Sequence, residues 1–225
     1  MFIFPTLYFG PKLIKCRIAQ NTLSGGTPID ADEDVIMTDG GGAWEIAMTG
    51  IDLVGAERVR AWESWSTYLD SGATTVAVPM ATNSRSNMPV HHRSGITNPY
   101  DLFTETQVMA SPSVVAFLTN DCDLRATIVT ITVEKGATIK GGETFSINNS
   151  EGPNPHRISR VISTAGNTFT VSIRPPLRSA STSGTPLNFD WPMCRARLDA
   201  GMDISPEVFL GKYAPASITF REVTV

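Results

Sequence analysis

The chain has 225 residues, 41% of them hydrophobic, which suffices for one sizeable β-rich domain or two small ones with a buried core. A formal charge of -4 and a pI near 5.4 exclude a global positive field of the kind that condenses on phosphate. Nucleic-acid readout is therefore not expected, although a local basic patch stays open. Three cysteines, Cys16, Cys122 and Cys194, lie far apart without C-x-x-C spacing and read as buried free thiols, not as a zinc site or a disulfide framework.

The opening MFIFPTLYFGPKLIK is apolar first and basic second, with Pro5 and Pro11 interrupting it, the reverse of a secretory signal's order. No apolar run reaches the roughly 18 residues of a membrane span. The expectation is a chain made in the cytosol, not exported by a signal and with no membrane span.

Residues 12–20 alternate, Ile14, Cys16 and Ile18 against Lys15 and Arg17, the period of a half-buried strand. Asp30, Asp32 and Asp34 then recur at every second position, a spacing that invites a calcium loop. Val35 stands where such a loop needs glycine and no glutamate closes it, so an acidic turn leading into a strand at Val35, Ile36 and Met37 is the better reading. The turn Asp39-Gly40-Gly41-Gly42 opens onto alternation at 43–49, with Trp44, Ile46 and Met48 on one side. A glycine loop cradles phosphate when it opens a helix, and this one opens a strand.

Over 52–69 the period becomes helical. Leu53, Val54, Val59, Trp62, Trp65 and Leu69 form a stripe, with Asp52 as the expected N-cap and Gly72 as the stop. Tryptophans on such a stripe more often pack on a sheet than hold a sugar or a base. A strand is expected in 73–80, ending at Pro79. The segment 81–112 has little apolar periodicity and reads as a long exposed loop. It carries Arg85, His91, His92 and Arg93, a basic group suited to contact another subunit. Imidazole titrates near neutrality, which raises a metal or general-base reading of His91 and His92. Adjacent residues point to opposite sides of an extended chain, however, and no nucleophile or orienting group accompanies them.

The β-branched run 128–133 predicts a well-buried strand. Further strands are expected at 143–147, 157–163, 168–174, 187–190, 193–198 and 217–225. They are separated by Asn148-Asn149, Pro153-Asn154-Pro155, Gly166-Asn167, Pro175-Pro176 and Trp191-Pro192. Short strands at such spacing suit a small barrel or sandwich. Arg174, Arg178, Arg195 and Arg197 read as solvent- or subunit-facing charges beside the Pro175-Pro176 corner. The expected fold is mainly β with one amphipathic helix. Residues 1–115 would form a β-sandwich or belt-like part, with the helix at 52–70 and the loop at 81–112. Residues 116–225 would form a small β-barrel-like or sandwich part, and whether the two share one core stays open.

Motifs from both halves occur in a telling order. Gly42-Ala43-Trp44-Glu45 precedes a helix with Trp62 and Trp65, then Leu69-x-x-Gly72 and Val76-Ala77-Val78-Pro79. Later come Gly142-x-x-Phe145-Ser146-Ile147, His156-Arg157-Ile158, Ile173-Arg174-Pro175-Pro176-Leu177-Arg178, Gly184-Thr185 and Phe189-Asp190-x-Pro192-x-Cys194-x-x-Arg197-Leu198. This order resembles the distal tail protein and related tail-tip proteins of long-tailed, siphovirus-like bacteriophages.

The resemblance implies a non-enzymatic virion protein at the tail tip, made in the host cytoplasm and with no cofactor. It implies a homo-oligomeric ring, a hexamer, that joins the tail tube protein to the tape-measure and hub or baseplate proteins. A related hub or minor tail protein carries similar small β-domains. Two other readings stand beside these: a carbohydrate- or receptor-binding β-domain using Trp44, Trp62, Trp65 and Trp191, and a hydrolase acting through His91, His92 or the carboxylates of 30–34.

Overall fold

The structure, a computed structural model, describes residues 1–20, 22–24, 35–37, 41–80, 114–199, 201–202, 204–205 and 214–224. In chain order its elements are α1 (Thr6–Phe9), β1 (Leu13–Ala19), β2 (Thr22–Ser24), β3 (Val35–Met37), β4 (Ala43–Leu53), α2 (Ala56–Leu69), β5 (Val76–Pro79), β6 (Val115–Leu118), β7 (Ile128–Lys135), β8 (Thr144–Asn149), β9 (Gly152–Ala165), β10 (Thr168–Arg174), β11 (Met193–Leu198) and β12 (Ala214–Glu222). The chain is mainly β with one long helix, as its patterning predicts.

One sheet has the order β1-β4-β12-β11-β5, a second the order β6-β7-β10-β9-β8, and β2 pairs with β3. In the first sheet β4 turns Trp44, Ile46 and Met48 inward, all fully buried, the outcome its alternation dictates. The strand then runs on past the expected boundary, because β12 continues to pair with it through Asp52↔Pro215 and Leu53↔Ala214. Asp52 is therefore a strand residue, its carboxylate 2.6 Å from Lys12 Nζ, and not the helix N-cap. Gly55 precedes the helix instead.

Helix α2 buries Ala61, Trp62, Trp65 and Leu69, while Val54, expected on the same stripe, is exposed. Leu69 is followed by Asp70 in the left-handed conformation, whose N–H bonds the Thr67 carbonyl, and a 3-10 turn carries the chain through Gly72.

The N-terminal segment completes this core. Phe4 N–H donates to the Ala77 carbonyl at 2.8 Å, and Ala77 N–H to the Phe2 carbonyl at 2.9 Å, so the segment lies along the outer edge of β5. Phe4 meets Trp65 and Phe220 edge to face at 5.3 and 5.0 Å, and Phe9 meets Trp62 at 5.0 Å. These offset ring geometries are the favourable ones.

The second sheet curls on itself. Its edge strands β6 and β8 are linked by residues 184–188. Leu187 N–H donates to Ala116 and Leu118 N–H to Thr185, while Ser146 and Asn188 exchange both backbone bonds at 2.9 Å. The strand expected at 187–190 is thus reduced to one isolated bridge, Ser146↔Asn188, which with Phe117↔Pro186 just before it carries the chain from one edge to the other. Strand β7, expected to be well buried, buries one face: Val129, Ile131 and Val133 are buried and Ile128 is exposed.

Strand β9 begins at Gly152, five residues before the expected start, and runs through Pro153-Asn154-Pro155. Ser146 gives its outward bonds to Asn188, so Ser146↔Pro155 demands no N–H from the proline toward β8. On the other flank β10 ends at Arg174 opposite Arg157. Proline fits a strand where nothing requires its missing donor.

Two separate hydrophobic clusters result. One joins Phe4, Phe9, Trp44, Trp62 and Trp65 with Cys194, Leu198, Ile218 and Phe220; the other lies within 114–189. The expected division at 115/116 puts β11 and β12 with the second part, whereas their pairing puts them in the first sheet. Strands β11 and β12 belong to the first sheet, pairing with β5 and β4, and the barrel-like unit is a contiguous insertion between β5 and β11. No disulfide links the cysteines; Cys194 is buried and Cys16 and Cys122 are half-buried.

Candidate functional site

Side chains from distant parts of the sequence converge where the two units meet. Glu222, on β12, has a fully buried carboxylate. It accepts the Trp44 backbone N–H at 2.8 Å and the Arg178 Nε and Nη2 donors at 3.1 and 3.2 Å. Arg178 Nη2 also donates to the Gly42 carbonyl at 2.6 Å. A buried carboxylate is tolerated when its oxygens are filled by charge-assisted bonds like these.

The chain before Trp44 must pass close to the barrel unit for this to happen. Gly41 has φ 113°, and a Cβ there would run into the Pro176 ring; at Gly42, φ 85°, it would sit 2.6 Å from the Ile18 side chain. Only glycine combines that conformation with that proximity.

A second layer lies beside the first. Trp44 Nε1 donates to the Pro155 carbonyl at 2.8 Å, and the Arg157 guanidinium stacks 4.8 Å from the Trp44 ring centre while its Nε donates to Thr144 Oγ1 at 3.3 Å. Burial lowers the Arg157 pKa. His156 is buried against Phe145. Its Nδ1 lies 2.9 Å from the Pro175 carbonyl, across the cis Arg174–Pro175 peptide. A carbonyl only accepts, so Nδ1 carries the proton. Burial, with a smaller push from the Arg178 charge, lowers the His156 pKa to about 4, and the ring is neutral. Burial also drives the Cys194 thiol well above its usual pKa, with the Glu222 charge adding to the effect.

Arg178 and Arg195, expected to face solvent or another subunit, instead tie the two units together. Their side chains are 16% and 17% exposed, and Arg195 Nη1 pairs with Glu151 at 3.3 Å. Arg197 is exposed and Arg174 half-buried. The expected interface residues Arg85, His91, His92 and Arg93, and the acidic run Asp30, Asp32 and Asp34, lie outside the described residues. Trp44, Trp62, Trp65 and Trp191 are all buried, so none offers a ring face to a sugar.

Among the described residues no group of three His, Cys, Asp or Glu side chains could hold a metal ion, and no helix is long and apolar enough to cross a membrane. A pocket of about 340 Å³ opens between β6 and β8, lined by Val114, Ala116, Ser146, Leu187 and Asp190 among others. Its polar groups have structural work: Asp190 Oδ2 accepts the Val114 N–H at 3.1 Å and Ser146 Oγ the Met193 N–H at 3.2 Å.

The seam is thus a structural joint with no reactive group presented to solvent. Glu222 was not singled out by the sequence, and His156 only as part of a motif, not as a buried neutral imidazole. The one signal available was their charge or imidazole inside otherwise apolar strand alternation. Compared with known proteins, the chain matches no protein-family model and no curated protein sequence.

Proposed function

We propose that this chain is a structural, non-enzymatic component of a phage tail tip. Its copies form a ring, a hexamer, that joins the tail tube to the host-recognition apparatus. One observation carries the reading: the motifs behind the resemblance, distant in sequence, meet at a single seam. Gly42 and Trp44 come from the first half; His156, Arg157, Pro175, Pro176 and Arg178 come from the second. Residue types at those positions are set by a joint between two units, and a joint is what a load-transmitting adaptor requires. Buried tryptophans and a pocket whose polar atoms serve the backbone support a geometric role over ligand binding. Fold by itself does not assign function, so the test is assembly. Sizing of the purified chain should give a closed oligomer, and electron microscopy of virions carrying a tagged chain should place it at the tail tip. A strictly monomeric chain absent from mature particles overturns the reading.

A further inference from the structure

Two charged groups stand out: the carboxylates around Asp30 in the sequence, and the basic side chains of β1, β11 and β12, of which Arg195 also pairs with Glu151 at the seam. Strand register gathers the second group. Arg17 stands opposite Glu45, Glu45 opposite Arg221, and Arg221 opposite Arg197, so the four form one row across the first sheet. Residues directly opposite share a face, as do residues two apart along a strand. Lys15 and Arg195 therefore join the row's face, which is the reverse of the one that buries Trp44 and Ile46.

That outer face holds five cations, with Glu45 and Asp199 as its own carboxylates and Glu151 reaching Arg195 from the turn between β8 and β9. Arg17 binds Glu45 through two bonds of 2.8 and 2.9 Å, and Arg221 reaches Asp199 at 3.3 Å. Lys15 and Arg197 are exposed, and the Arg17 and Arg221 side chains keep 56% and 53% of their surface. A chain of net charge -4 thus shows a basic sheet face, and the compensating charge is concentrated in sequence. Residues 21–42 contain Asp30, Asp32, Glu33, Asp34 and Asp39 and no lysine or arginine. Four of these carboxylates lie in the sequence joining β2 to β3, which pair as a hairpin from Thr22↔Met37 to Ser24↔Val35.

We infer that the basic outer face of the first sheet docks a second copy of this chain through that copy's acidic segment between β2 and β3. The basic face and the acidic segment are different parts of the chain, so the contact is heterologous. It repeats head to tail and closes into a ring or extends as a filament. The inference deepens the ring reading by supplying a contact between copies. Complementary potentials of this kind steer encounter and fix register, and salt screens them.

The experiment uses the full-length chain in sedimentation velocity over a range of concentrations, at low salt and at about 0.5 M salt. The expected result is concentration-dependent association at low salt that weakens at high salt. Reversing the face with Lys15→Glu and Arg197→Glu should weaken association about tenfold or more, and Asp32→Lys with Asp34→Lys should do the same. An equimolar mixture of the two double variants should regain association. Circular dichroism matching the wild type establishes that each variant is folded, and Lys15→Gln with Arg197→Gln provides a neutral version that should give a smaller loss of the same sign.

Association that ignores the face variants overturns the inference. So does a chain that stays monomeric at every concentration, where the acidic segment would serve its own copy. So, too, does a face whose reversal abolishes binding to a heparin column while leaving self-association intact. Absence of the chain from virions would overturn the tail-tip reading and leave the docking contact standing; a ring insensitive to the charge variants would do the reverse.

Discussion

The two units are built on opposite plans. The first is assembled from both ends of the chain: the N-terminal segment, β1, β4, α2 and β5 from one side, β11 and β12 from the other. Its core is aromatic, with Phe4, Phe9, Trp44, Trp62, Trp65 and Phe220 fully or nearly fully buried. The second is contiguous in sequence and its core is mostly aliphatic, with Phe145, Phe169 and Phe189 added. A contiguous unit closes short loops and forms local pairs, whereas the first must bring distant segments together before any contact rewards the loss of chain entropy. The seam decides whether these plans behave as one protein or two, and variants at the seam give the largest effects.

Arg178→Met removes the cation from a fully buried carboxylate and strips a bond from the Gly42 carbonyl. Breaking a buried pair on one side leaves a charge without compensation, so unfolding stability should fall by about 3–5 kcal/mol. The mutation should also uncouple the units. Urea unfolding followed by tryptophan fluorescence, which reports chiefly on the first unit, should separate from unfolding followed by exchange of the β7 and β10 amides. Coincident transitions at wild-type stability would mean that the seam does not join the units energetically.

Acid should act on the same joint. The folded-state pKa of His156 is about 4, below its ordinary 6.5. Between those values the unfolded chain binds more protons than the folded one, so stability rises with pH there. The His156 contribution is complete above pH 6.5 and is lost as pH falls toward 4. The window corresponds to about 3 kcal/mol. His156→Gln keeps a donor for the Pro175 carbonyl and does not titrate. The difference between wild type and variant should therefore shrink by that amount on acidification, measured as urea midpoints at several pH values. Parallel midpoints for the two proteins would refute the assignment.

Legibility in the sequence follows the same division. Strands β10 and β11 have their expected bounds because Gly166-Asn167 and Trp191-Pro192 delimit clean alternation. What the sequence misplaced was fixed by distant partners. The far end of β4 is held in strand form by β12, across about 160 residues. The prolines of β9 look like punctuation until the bonds of Ser146 and the end of β10 show that no donor is needed there. The seam was legible only as motifs in order. Nothing local states that Arg178 faces Glu222 rather than solvent, because that geometry is a property of the docked units. The aromatic N-terminal segment was read for what it excluded, and its place in the core came from backbone pairing with β5.

The smallest expected effect tests whether the barrel-like unit can be perturbed alone. Asn149 ends β8, and its Oδ1 accepts the Glu151 and Gly152 backbone N–H groups at 2.9 and 3.0 Å, which shapes the turn into β9; its Nδ2 donates to Ser179 Oγ at 3.0 Å. Alanine removes all three bonds at a half-exposed site where water can replace them, so Asn149→Ala should cost about 1 kcal/mol. The loss should appear in the exchange of β8 and β9 amides more than in α2. Yet Arg195, on β11, reaches back to Glu151 in this very turn. If Asn149→Ala loosens α2 as much as β8, the turn is coupled to the first sheet through Arg195, and the contrast between a local unit and a non-local one is then structural without being energetic.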